Sequence, residues 1–161
     1  MRRLHIGLLL AVIAGIPAVT AGAYYNITGK TSAEKPCFIA GNAGYKLSAR
    51  GDARHVVRID NQAALPHLRM QLVDDPAAAD FVLVDDSDAT VACKGVSVVE
   101  SIRIDPAVAK PDLIVAVSRE AADYKIYLHS NNYNEQDAAA LAAVIWQNAS
   151  RTGALRSTAT R

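Results

Sequence analysis

Chemistry in this chain would have to come from a short list of side chains. Cys37 and Cys93 are its only cysteines, and beyond the amino-terminal apolar stretch its histidines are His55, His67 and His129. A thiolate attacks when a neighbouring imidazole takes its proton, so either cysteine with a histidine makes one hydrolase or transferase arrangement. Glu100 with an aspartate, as general acid and base, makes another. The competing reading of the cysteines is structural. They form the only available intrachain pair, and no C-x-x-C spacing marks a redox dithiol. In an oxidising compartment such a pair reads as a disulfide, and its long loop would restrict the unfolded chain by about 4 kcal/mol.

Other reactive patterns are missing. No H-E-x-x-H pair, G-x-S-x-G elbow or S-x-x-K run occurs, and Gly41, Gly44 and Lys46 lack the spacing of a phosphate loop. Asp86, Asp88 and Thr90 open like a calcium loop but lack its glycine and its closing glutamate. Neither a metal nor a cofactor is expected. His55 reads as a satisfied, half-buried histidine, and His67 as the surface of a short helix. The residues best suited to recognition come later. Tyr127 and His129 share the outward side of an alternating strand, Tyr133 follows in an Asn-rich loop, and Trp146 lies off the main stripe of the next helix. These four are the expected contact surface.

The elements that must hold these residues follow from periodicity. Short strand-like pieces surround the turn at Gly41, Asn42 and Gly44, and His55 to Asp60 reads as a strand. A short helix is expected near Asn61 to Leu68. Leu72-Val73-Asp74-Asp75 recurs as Leu83-Val84-Asp85-Asp86, which suggests two strands around a turn capped by Asp75 and begun by Pro76. Because a parallel crossover ordinarily needs a dozen residues, direct neighbours here would be antiparallel. Thr90 to Lys94 and Val96 to Asp105 read as a hairpin.

Glu100 is the anomaly in that hairpin. It falls on the side of Val98, Ile102 and Ile104, where a lone carboxylate is costly, so a bulge near Val99 is expected; a partner or cleft for Glu100 is the alternative. Leu113 to Val117 reads as a central strand and Tyr124 to Ser130 as an alternating one. Asn134 caps the best helix, whose packing stripe is Ala138, Leu141, Ala142, Ile145 and Ala149 and whose end is Gly153. The sum is an α+β domain: a mixed, mainly antiparallel sheet of five to seven strands, one long carboxy-terminal helix and one or two short ones.

The front of the chain carries an address. Arg2 and Arg3 precede twenty residues, Leu4 to Ala23, with no Asp, Glu, Lys or Arg, ending in Ala21-Gly22-Ala23. That is the plan of a signal peptide cleaved after Ala23; the alternative is a retained membrane anchor, with membrane contact through residues 4–23. Residues 24–36 read as a tether, 37–153 as one domain and 154–161 as a disordered tail. Removing residues 1–23 takes away Arg2 and Arg3 and leaves 15 basic against 16 acidic groups in 138 residues. A basic face for nucleic acid is therefore not expected. The Ala- and Arg-rich style points to a bacterial envelope, so the expected place is the periplasm, free or anchored. The expected role is a non-enzymatic domain that binds another envelope protein or a cell-wall component. A membrane-anchored accessory subunit and the small hydrolase or transferase above are the alternatives.

Overall fold

A computed structural model of the chain describes residues 35–49, 51–85 and 92–152. Its elements are β1 (Phe38–Ala40), β2 (Ala43–Leu47), β3 (His55–Ile59), β4 (Leu68–Val73), a 3-10 turn (Pro76–Ala78), β5 (Phe81–Val84), β6 (Val98–Ile104), β7 (Leu113–Ser118), β8 (Tyr124–His129) and α1 (Glu135–Thr152). All eight strands belong to one sheet, in the order β1-β2-β6-β3-β7-β4-β8-β5. The α+β class and the single long helix are as expected, and the strands outnumber the five to seven expected. The export segment, the Asp86 to Thr90 stretch and the tail lie outside the described residues. Among the described residues no helix is long and apolar enough to cross a membrane.

The expected antiparallel character is overturned. Among the described residues only β1 and β2 pair antiparallel; the other six pairings are parallel, and β8 lies between β4 and β5. Apart from the link from β5 to β6, the links between successive parallel strands are nonetheless short, since the longest, residues 60–67 and 105–112, have eight residues. Register explains how. Leu47 and His55 are both level with Ile102, Ile59 and Leu68 with Val115, and Leu72 and Phe81 with Ile126. Each strand starts at the height where its predecessor stopped. A link therefore steps sideways by two strand spacings, roughly 10 Å, and never returns along the strand as an ordinary crossover must.

Those sideways steps leave a gap after each of β2, β3 and β4, which β6, β7 and β8 fill. The interleaving corresponds to a repeat in the sequence. Arg58-Ile59-Asp60, Ala64, Pro66 and Leu68 recur 45 residues on as Arg103-Ile104-Asp105, Ala109, Pro111 and Leu113. After a two-residue deletion, Ala79-Asp80 recurs as Ala122-Asp123. Each strand of the first unit pairs with its counterpart displaced by two residues, as in Val57 with Ile104. A displacement of two keeps inward side chains inward. Four matched residues at strand entries also do matched work: His67, Asp112, Asp80 and Asp123 accept the backbone N–H of Ile114, Val56, Lys125 and Arg69 at 2.9, 2.7, 2.8 and 3.3 Å. His67 thus serves a strand entry, and the expected helix at Asn61 to Leu68 is a turn leading into β4.

Helix α1 opens with a reciprocal cap. Asp137 N–H donates to Asn134 Oδ1 at 2.9 Å and Asn134 N–H to Asp137 Oδ2 at 2.8 Å, satisfying amides that the first turn leaves unpaired. Every residue from Asp137 to Val144 is at most 5% exposed, so the helix has no water-facing side there. The expected stripe is too narrow, because Ala139, Ala140, Ala143 and Val144 are buried as well. The sheet curls around the helix, and alanine keeps the enclosed cylinder slim.

Cys37 and Cys93 form the expected disulfide, with Cα atoms 5.2 Å apart, tying the entry of β1 to the turn before β6. Gly44 on β2 lies beneath it. A Cβ there would sit 2.9 Å from Cys93 Sγ and 3.0 Å from Cys37 Sγ. Gly44→Ala is therefore expected to destabilise the oxidised protein by about 1–2 kcal/mol through overpacking, read as an earlier urea midpoint. An unchanged midpoint would show that the bridge can shift without cost.

Candidate binding surface

The alternation of β8 sends Tyr124, Ile126 and Leu128 toward the helix and Lys125, Tyr127 and His129 to the outside. Tyr127 is level with Val73 of β4 and Val82 of β5, and His129 with Val84 of β5. Val82 and Val84 are each 49% exposed. Side chains at one level of a sheet point the same way, so Tyr127, His129, Val82 and Val84 form one apolar and aromatic patch beside the edge of the sheet. The two valines were not picked out from the sequence. Their signal is there in the uncharged run Phe81 to Val84, whose alternate residues have to face outward if Phe81 and Leu83 face the helix.

The other two expected contact residues lie elsewhere. Tyr133 is buried at 4% exposure and its hydroxyl donates to the Pro36 carbonyl at 2.5 Å. Burial, with the nearby charges of Asp85 and Asp137, pushes its hydroxyl up to about 12. Tyr133 is thus a clasp between the chain before β1 and the start of α1, which Lys35 reinforces by an ion pair with Asp137. Trp146 is half-buried on the helix, with Nε1 donating to the Tyr124 hydroxyl at 2.8 Å. Its ring continues a row through Tyr124 to Phe81, at centroid distances of 6.1 and 6.0 Å. That row lies on the inner side of the sheet, away from Tyr127 and His129.

The loop after β8 is held to the end of β5 by Asp85. Its carboxylate accepts from Ser130 Oγ at 2.6 Å and from the amides of Asn131 and Asn132, each at 3.2 Å. Burial pushes its carboxyl up, but these hydrogen bonds together outweigh burial and hold it below the usual carboxylate range. A lowered value in the fold means that the ionised form stabilises the fold. That contribution is complete above the unfolded value of 3.8 and lost as pH falls through the folded value. Wild type is expected to exceed Asp85→Asn in thermal stability at neutral pH and to lose that margin progressively as pH falls below 3.8. A margin independent of pH would mean that Asp85 does not hold the loop as a carboxylate.

The residues considered for catalysis are otherwise engaged. Both thiols are consumed in the disulfide. The expected bulge near Val99 is absent, since β6 pairs with β2 in unbroken register from Val98 to Ile102. Glu100 instead points inward with a partner. At 7% exposure its Oε2 lies 3.0 Å from Nε2 of His55, itself 5% exposed, and 3.1 Å from Nε of Arg54. His55 and Glu100 are counterparts in the two units, 45 residues apart, so the repeat itself brings them together. The partners of the Glu100 carboxylate are thus His55 and Arg54, not the aspartate of an acid–base pair. Nor do the described residues contain a cluster of three or more His, Cys, Asp or Glu able to hold a metal.

A cavity of about 190 Å³ opens between the two end strands of the curled sheet, where Phe38 and Ala40 of β1 face Phe81 and Leu83 of β5 above Leu141 and Ile145 of α1. None of His55, Glu100 and Arg54 lines it. No protein-family model matches the chain, and no curated protein is significantly similar to it.

Proposed function

We propose that this chain is an exported, non-enzymatic domain that binds another envelope protein through the outer side of β8 and β5. The observation that carries the reading is the patch of Tyr127, His129, Val82 and Val84, in which two half-exposed valines flank an aromatic ring and an imidazole on a rigid sheet. Contact surfaces favour such a mix of apolar anchors and aromatic side chains. The disulfide suits an oxidising compartment, and it leaves neither cysteine free as a nucleophile. The uncharged segment Leu4 to Ala23 supplies the route of export, with or without later cleavage.

The test is proximity in the intact cell. A photoreactive amino acid in place of His129 is expected to give, on illumination, an adduct with one envelope protein. The same substitution at Gln62, exposed in the link between β3 and β4, is expected to give none. Absence of any adduct at position 129, or the same scatter of adducts at both positions, overturns the reading.

A further inference from the structure

Among the described residues both ends of the sheet are unpaired, and β5 is the end suited to accept a chain. Its hydrogen-bonded neighbour is β8 on one side, and the described residues place no strand on the other. Beyond the strand the Asp85 amide donates to the His129 carbonyl at 3.3 Å, so the alternation of a parallel ladder turns Phe81 and Leu83 toward β8 and the amides and carbonyls of Val82 and Val84 toward the free side. Natural sheets protect such an edge with lysine, proline, bulges or inward charges. Phe81-Val82-Leu83-Val84 has none of these, and half-exposed Val82 and Val84 add apolar surface beside the open backbone.

We propose that the free edge of β5 receives, as an added strand, an extended apolar segment of the partner protein with Lys or Arg at its ends. The proposal rests on the protein-binding reading and specifies its site. Open amides and carbonyls in a row require an extended chain, and alternate apolar residues on that chain match Val82 and Val84 outside and the cavity beside Phe81 and Leu83 inside. The ends set the charge. Asp80 precedes the apolar run and Asp85 follows it; both carboxylates accept from β8 or the loop after it, and each leaves an acidic group near one end of a strand laid along β5. The same carboxylates argue against a second copy. Antiparallel self-pairing centred between Val82 and Leu83 would set Asp80 of one chain opposite Asp85 of the other at both ends, and like charges directly opposite are destabilising.

The test uses the full chain and a fluorescent synthetic peptide, Lys-Val-Thr-Ile-Thr-Val-Lys. Binding is read by anisotropy and located by amide hydrogen exchange. The peptide is expected to bind and to slow exchange at Val82 and Val84. Val82→Lys, which places a cation on a half-exposed position, is expected to weaken binding by about tenfold or more, while Gln62→Lys, the same charge change elsewhere, leaves it unaltered. Glutamate in place of the peptide's lysines is expected to weaken it by about tenfold, and N-methylation of alternate peptide amides to abolish it.

Four results overturn the proposal: no binding at about 1 mM peptide, equal binding of the N-methylated peptide, protection confined to other strands, or Val82 and Val84 amides already slow in the free protein. The last would mean that the chain itself or a second copy covers the edge. If the photoreactive group at position 129 still captures an envelope protein in any of these cases, strand addition fails and the protein-binding reading stands. If it captures nothing, both fail.

Discussion

Glu100→Ala is expected to destabilise the fold by about 3–5 kcal/mol, the cost of leaving a buried polar group without its partner. His55 is 5% exposed and its Nε2 faces Glu100 Oε2 at 3.0 Å, so the truncation strands an imidazole nitrogen where water does not reach. Arg54, on the same oxygen, behaves differently. Its side chain is 64% exposed and can turn to solvent, so Arg54→Ala is expected to cost less than about 1 kcal/mol. His55→Leu alone should resemble Glu100→Ala, because it leaves the carboxylate inside. The double substitution His55→Leu with Glu100→Leu should recover most of the loss, since well-packed apolar residues often replace a buried pair at no net cost. Urea unfolding of wild type, His55→Leu, Glu100→Leu and the double variant closes the cycle. Single variants costing under about 1 kcal/mol, with no recovery in the double, would mean that the pair is solvated rather than enclosed.

The same pair shows how far the sequence could be read. The conflict was visible, because Glu100 shares its side with Ile102 and Ile104, and His55 was legible as a satisfied histidine. Their partnership was not, because the partner sits 45 residues away in a strand whose neighbours depend on the interleaving. A lone buried carboxylate is costly, and a bulge is the cheaper answer until a partner is known. The repeat was detectable from Arg58-Ile59-Asp60 and Arg103-Ile104-Asp105, yet the more obvious Leu-Val-Asp-Asp echo spans two different strands of one unit.

Strand direction failed for a related reason. The rule that a parallel link needs a dozen residues assumes that the chain returns along the strand. In this sheet each strand is displaced along its axis, and within each unit eight residues at most are enough. What depended on local pattern was readable: the outward side of β8, the Asn134 cap and the turn at Pro76. What depended on which segment lies beside which was not. Tyr133 belongs to the second kind, since its hydroxyl is held by Pro36, 97 residues earlier. So does the edge character of β5, because an apolar run of four residues is the same string in a central strand and at an open end.

A second large effect is expected inside the curl, from Ala143→Leu, at about 3 kcal/mol or more. On an ordinary surface helix that change would be mild, since leucine is nearly as good a helix former as alanine. Its cost here comes from enclosure. Ala138, Ala139, Ala140, Ala142 and Ala143 cover a little over half the circumference of α1 and Leu141 and Val144 the rest, each at most 4% exposed. Ala138 and Ala142 border the cavity, but a leucine at Ala139, Ala140 or Ala143 drives carbon atoms into the enclosing sheet, with no water-facing side toward which the helix can rotate. The sheet can yield only where it is unpaired, between β1 and β5, and widening that gap would expose Leu141 and Ile145 in the cavity floor. Gln136→Leu, on the exposed first turn of the same helix, is the control, expected within about 0.5 kcal/mol of wild type. Equal costs for the two in urea unfolding would mean that the helix keeps an open side near Ala143, and the sheet would then be a cover rather than a wrap. If Ala143→Leu is costly but still folds, faster amide exchange should appear first in β1 and β5, because the strain has no other edge to open.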